Sequence, residues 1–215
     1  MKKNSKNPQT RLILLAILVG SISALAGISF WKVMQGPPQA SDATLLLLPE
    51  PRVIADFSLV DDDGQPFSLE RLKGQWSLLF FGFTHCPDVC PSALYDLAQV
   101  RKTLARNDPE ITNDLQVLFV SVDPERDTPR QLNQYVNYFD PEFIGVTGPE
   151  AQLAPLTLQL GIAYRIEDHE PGSQQYNVDH SASILLMNPN GQLHGVFPAP
   201  HQSDSMAAEI AAVIN

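Results

Sequence analysis

Cys86 and Cys90 are the only two cysteines in the 215-residue chain, and three residues separate them. At that spacing two sulfurs can approach closely enough to chelate one soft metal ion or to close a disulfide. A stabilising role fits poorly, because so small a ring removes little freedom from the unfolded chain. Metal binding and disulfide exchange both need a thiolate. Cys90, at the start of an expected helix, should feel the positive end of the dipole and ionise more readily. A third donor would discriminate, and His180 is the best placed of the five histidines, in Val178-Asp179-His180-Ser181 at the end of a loop. On its own, a histidine is more often structural than a ligand. Two thiolates and one imidazole form a soft set that suits Cu(I) and can hold Cu(II) with one added donor, whereas structural zinc usually takes four protein ligands. His85 adjoins Cys86, which strains joint chelation, so it reads as a neighbour that tunes the thiol. His169, His194 and His201 have no partner pattern and read as surface residues, and the four methionines form no cluster.

The cysteines need a strand, a loop and a helix to present them. An apolar run from Trp76 to Phe83 reads as a buried strand, followed by a proline-punctuated turn and an amphipathic segment over about 92–105. The helix should begin at Cys90 or Pro91, since Pro91 cannot lie deep within it. Upstream, Val53–Val60 and Gln65–Leu69 read as a hairpin across Asp61-Asp62-Asp63-Gly64. That triplet is a solvated turn, because no Glu closes a twelve-residue calcium loop. Downstream come a strand over Leu115–Val122, a helix to about Phe139 capped by Asp127 or Thr128 with Pro129 first, and a strand near Phe143–Val146. A helix over 149–161, a strand at Ile162–Ile166, a hairpin of Ser183–Met187 with Gln192–Phe197, and a helix over Ser205–Ile214 complete the chain. Alternating strands and helices with a terminal hairpin and helix indicate an α/β sandwich of thioredoxin type with an N-terminal hairpin. In such a sheet the loop carrying His180 lies beside the cysteine turn.

The N-terminus sets the compartment. Residues 1–11 form a basic tail with no acid, and Leu12–Trp31 runs 20 residues without a charge, long enough to span a bilayer. A transmembrane anchor over 12–34, a linker over 35–51 rich in Pro and small residues, and one domain over 52–215 follow. The positive-inside rule places that domain in the periplasm of a bacterial cell, tethered to the inner membrane by a single pass. Ala24-Leu25-Ala26 also resembles a signal cleavage site, but the apolar run continues to Trp31, which suits a membrane interface. Beyond position 34 there are nine basic and 24 acidic residues, a net charge of −15, which argues against nucleic acid as a partner.

Three stretches carry a resemblance to a known family: Phe83-Thr84-His85-Cys86-Pro87-Asp88-Val89-Cys90-Pro91, Ser121-Val122-Asp123-Pro124-Glu125-Arg126-Asp127-Thr128-Pro129 and Val178-Asp179-His180-Ser181. In order and at suitable separations, they resemble the SCO/SenC family of copper-handling proteins over about residues 50–215. The resemblance implies a thioredoxin-like fold, copper held by Cys86, Cys90 and His180, and a role in assembling the copper site of cytochrome c oxidase. Implied partners are the oxidase subunit that receives the metal or another copper chaperone. Two other classes stay open on the residues alone. A general thiol-disulfide oxidoreductase would use the same cysteines, but such enzymes usually separate them by two residues and place a proline where this chain has Asp179-His180. A non-catalytic redox or copper sensor would also use these residues, whereas a plain interaction module leaves the coincidence of the cysteines and His180 unexplained. No dinucleotide glycine motif, phosphate loop or zinc-protease motif supports another enzyme. The anchor reading has a direct check: the full-length chain should sediment with membranes and resist carbonate extraction, whereas a mature N-terminus at Gly27 would show that the segment is removed.

Overall fold

The computed structural model describes residues 45–214, together with Ile17, Leu18, Ser23 and Gly27, which are helical. The chain divides into two units, 1–40 and 41–215, and the second contains the whole sheet. Apart from those four positions, the expected basic tail, anchor and first part of the linker lie outside the described residues. Among the described residues no helix is long and apolar enough to cross a membrane.

The centre of the domain is a pair of parallel strands, β4 (Trp76–Gly82) and β5 (Leu115–Ser121), paired in full register from Trp76 with Leu115 to Gly82 with Ser121. Every residue of β5 is buried, as are all of β4 after Trp76, which explains why both read as continuous apolar runs rather than alternating ones. Around them the eight-stranded sheet runs β1 (Leu46–Arg52), β10 (Leu193–Phe197), β9 (Ile184–Met187), β4, β5, β6 (Phe143–Thr147), β2 (Leu59–Asp61), β3 (Pro66–Phe67). Helices α1 (Val89–Asn107) and α3 (Pro129–Phe139) follow β4 and β5. The short α2 (Pro109–Asn113), α4 (Glu150–Leu160) and the C-terminal α5 (Ser203–Ile214) complete the set. The α/β thioredoxin-like arrangement thus follows the strand-helix alternation.

Local signals explain most boundaries. Thr128 caps α3 with a full capping box, its hydroxyl accepting from Gln131 N–H while the Gln131 side chain accepts from Thr128 N–H, and Pro129 stands in the first turn. Gly161 ends α4 in the left-handed region at φ 73°. Gly64, at φ 79°, turns β2 into β3, and the Asp61 carboxylate accepts from Asp63 N–H and Gln65 N–H and pairs with Arg71. The acidic triplet forms a turn as expected, but Asp61 is buried at the end of β2 rather than solvated.

Four expectations need correction. Leu46–Arg52 is not linker but the edge strand β1 on β10, so the folded domain begins by Leu45 rather than at Arg52. Its prolines are tolerated because an edge strand leaves one side unpaired, and its exposure gives it the composition of a linker. The strand expected over Val53–Val60 is restricted to Leu59–Asp61. Ahead of it, Ala55 N–H and Ser58 N–H bond the side chains of Gln159 and Gln152 on α4 instead of a strand partner. The third correction concerns β7 (Tyr164–Ile166), which stays outside the main sheet and pairs with β8 (Val178–His180) as a separate two-stranded sheet. Last, α1 starts at Val89, one residue before the expected boundary, which puts Cys90 inside its first turn.

Gly82 shows how tightly the end of β4 is packed. A Cβ there would stand 2.6 Å from Cys90 Sγ and 2.9 Å from the Phe119 ring. Gly82→Ala should therefore lower stability by about 1–3 kcal/mol through overpacking. A urea unfolding series checks this, and an unchanged midpoint would show that Cys90 is not held against the strand.

Candidate metal centre

Three elements bring three donors to the carboxyl ends of β4 and β5, the usual place for a site in a sheet with parallel strands. Cys86 lies in the turn after β4, Cys90 in the first turn of α1, and His180 closes β8. Their ligand atoms all lie within 4.8 Å of one another, and among the described residues they form the one such group of three. Both cysteines are free thiols. The Cys90 backbone N–H points at Cys86 Sγ at 3.4 Å, and Cys90 Sγ stands 3.3 Å from His180 Nε2.

The imidazole is set for ligation. His180 Nδ1 lies 3.0 Å from the Ser181 carbonyl oxygen, which can only accept, so Nδ1 carries the proton and Nε2 presents its lone pair to the sulfurs. Edge contacts with the Phe80 and Phe83 rings, at 5.9 and 5.8 Å between centroids, hold the ring plane. Burial pushes the His180 pKa below its ordinary value, against opposing contributions from Ser181 and Asp179. The neutral form required of a metal ligand is thereby favoured.

Cys90 departs from expectation. The helix N-terminus was expected to favour its thiolate, but the side chain is fully buried against Gly82 and burial pushes its thiol strongly upward. Nearby Cys86 and Asp127 push the same way, and the hydrogen bond from Phe83 only partly opposes them. A dipole end stabilises charge by a fraction of what desolvation removes. Cys86 is half-buried and lines an open cleft of about 390 Å³ with His180, Phe83, Pro87, Val89 and Asp179. Cys86 is thus the more accessible of the two sulfurs.

The other histidines stand apart. His85 Nδ1 lies 3.2 Å from Thr84 Oγ1 and 3.8 Å from Asp127 Oδ1, and the residue is not among the converging donors. His169, His194 and His201 are half-buried rather than surface residues. His169 stacks on Tyr176 and His194 meets the Trp76 ring edge-on.

The acidic-proline loop is more than a helix cap. Asp127 is fully buried and accepts from Thr84 N–H at 2.8 Å, Thr84 Oγ1 at 2.6 Å and Ser121 Oγ at 2.6 Å, which ties the cysteine turn to the end of β5. Burial pushes its carboxyl upward, and these three bonds oppose the shift. Asp123 and Arg126 form a buried ion pair beside it, and Tyr176 donates to Asp123 at 2.6 Å. The available signal was a set of charged residues directly after a largely apolar strand.

The chain is similar to known proteins in sequence and in fold. A sequence model of the SCO1/SenC family matches residues 47–215. Over 173 residues the chain is 39% identical to a Stutzerimonas stutzeri protein named for copper binding, covering 80% of this chain and 82% of that one. The structure of Arabidopsis thaliana ScoI with copper bound superposes with a TM-score of 0.68 at 36% identity, covering 74% of this chain and 96% of that one. BsSco, a Sco-family cytochrome c oxidase assembly protein with a disulfide switch, matches at TM-score 0.57 and 25% identity, over 78% of this chain and 96% of its own. With its fold, its three converging donors and its family match in agreement, the chain belongs to the SCO1/SenC family.

Proposed function

We propose that the protein binds copper through Cys86, Cys90 and His180 and delivers it during assembly of the copper site of cytochrome c oxidase. The observation that carries this reading is the convergence of two thiols and one neutral imidazole within 4.8 Å. The donor set fits copper on chemical grounds. Two sulfurs and one nitrogen satisfy Cu(I) at low coordination number and hold Cu(II) with one further donor, whereas a closed structural zinc site wants a fourth protein ligand. The buried Cys90 thiol gives up its proton when a cation replaces it, so loading is coupled to proton release. Half-exposed Cys86 offers a route by which a recipient's thiol takes over the ion in steps.

The domain works tethered to the bacterial inner membrane with its cleft in the periplasm, a reading supported by the 20-residue uncharged run and the basic tail before it. A second reading, reduction of a recipient's disulfide, is favoured by the proximity of the two sulfurs and by the disulfide switch of BsSco. Attack by the Cys86 sulfur breaks that disulfide and joins Cys86 to one recipient sulfur as a mixed disulfide, while the other leaves as a thiol with the proton Cys86 gave up. Cys90 then displaces the recipient's sulfur as a thiol, leaving the recipient reduced and Cys86–Cys90 oxidised. Delivery and reduction use the same sulfurs, so one copy cannot perform both at once.

Anaerobic titration of the reduced protein should give one copper per chain and a strong thiolate-to-Cu(II) absorption band after oxidation of the metal. His180→Ala should weaken Cu(II) retention by more than the roughly 10–100-fold that loss of a ligand's supporting hydrogen bond costs. Unchanged retention and spectra in that variant would exclude His180 as a ligand. Transfer of copper to an oxidase copper-site fragment, measured against reduction of that fragment's disulfide, separates the two readings.

A further inference from the structure

We infer that Asp123, Arg126 and Tyr176 are positioning residues that set where His180 stands relative to the two sulfurs. The inference rests on the copper reading, because it names what holds one of that site's donors in place.

His180 lies outside the main sheet. It lies at the end of β8, a three-residue strand that pairs only with β7. The Phe80 and Phe83 edges, the Ser181 carbonyl and a hydrogen bond to the Phe81 backbone orient the ring, and β8 is tied at its trailing end, where the chain runs on into β9. The leading end of that strand is held elsewhere. Arg126 Nη1 donates to the carbonyls of Gln174 at 3.3 Å and Tyr176 at 3.0 Å. The Tyr176 hydroxyl donates to Asp123 Oδ1 at 2.6 Å. The Arg126 guanidinium lies 3.6 Å from the centre of the Tyr176 ring, and the His169 ring lies 3.7 Å from it at an interplanar angle of 7°. Two groups that close to one ring centre cannot share a face, so Tyr176 is sandwiched between them. Its ring is buried, while the flanking Gln175 and Asn177 are exposed.

From Tyr176 the contacts lead back to the cysteines. Asp123 N–H donates to Ser121 Oγ at 3.1 Å, the Ser121 hydroxyl donates to Asp127 at 2.6 Å, and Asp127 accepts from both donors of Thr84. A continuous buried chain of hydrogen bonds thus joins Thr84, two residues before Cys86, to Tyr176, four residues before His180. Stability alone is a weak reason for it. A buried ion pair such as Asp123–Arg126 gains little over apolar packing, and Arg126 Nη2 is buried without a partner. Fixed geometry is what such a network supplies, and a ligand's supporting contacts govern how firmly it holds metal.

The test uses full-length protein loaded with Cu(II). Tyr176→Phe keeps the ring and its two stacking partners and removes only the hydroxyl. It should shift the thiolate-to-Cu(II) band and the copper hyperfine splitting, and raise the rate of copper loss to a chelator by roughly tenfold or more. Ile210→Val, a core change on α5, is the control for lost stability and should leave spectrum and release rate as in the wild type. His169→Ala removes only one face of the sandwich and should move both readouts in the same direction, by less. Superimposable spectra and release rates for Tyr176→Phe and the wild type overturn the inference, as does an equal shift in Ile210→Val. If Tyr176→Phe does not fold, unchanged readouts in His169→Ala overturn it instead. A wild type with no thiolate-to-Cu(II) band fails the copper reading itself, and that arm tells the two failures apart.

Discussion

Burial of Cys90 Sγ against the end of β4 is the constraint on which the rest of the site depends. The side chain is fully buried beside Gly82, and a thiolate there would be negative charge in a low-dielectric pocket near Asp127. Burial therefore favours the thiol over the thiolate, and a cation or a sulfur-sulfur bond in the proton's place removes that penalty. Cys86, half-exposed at the cleft, and His180, neutral with its lone pair turned inward, are the partners that make the exchange possible. Copper loading and disulfide closure are two ways of relieving the same buried thiol.

The sheet explains why these residues meet. Parallel pairing of β4 and β5 in full register puts Gly82 beside Ser121, so the turns that follow both strands open at one end of the domain. One turn carries the cysteines and the other the Asp123–Asp127 network. β9 runs antiparallel to β4 and begins opposite Phe80, which returns the chain segment bearing His180 to the same end. Residues 90 positions apart are thereby brought to 3.3 Å.

Part of this was legible in the sequence, for identifiable reasons. Trp76–Gly82, Leu115–Ser121 and Thr128-Pro129 carry strong local signals, a buried apolar run or a cap with proline, and they fold as those signals dictate. His180 could be selected only by assuming the fold, because no local pattern distinguishes a ligand from a structural histidine. The burial of Cys90 was not legible, since the dipole argument is local whereas burial depends on how the helix packs on β4 and on the missing side chain at Gly82. Leu46–Arg52 was concealed for the opposite reason: an exposed edge strand has no buried face to give it a period. The Thr84–Asp127–Ser121 bonds were equally invisible, because the side chains of a capping motif and a strand end turn inward only once the sheet exists.

The central claim is that copper sits between two particular sulfurs and one particular nitrogen. X-ray absorption at the copper edge of the loaded protein tests it most directly, because the scattering of the nearest atoms distinguishes sulfur from nitrogen or oxygen. The account predicts two sulfur neighbours and one imidazole nitrogen, with one sulfur lost in Cys90→Ser. A first shell of nitrogen and oxygen alone, or one unaltered by Cys90→Ser, would contradict it.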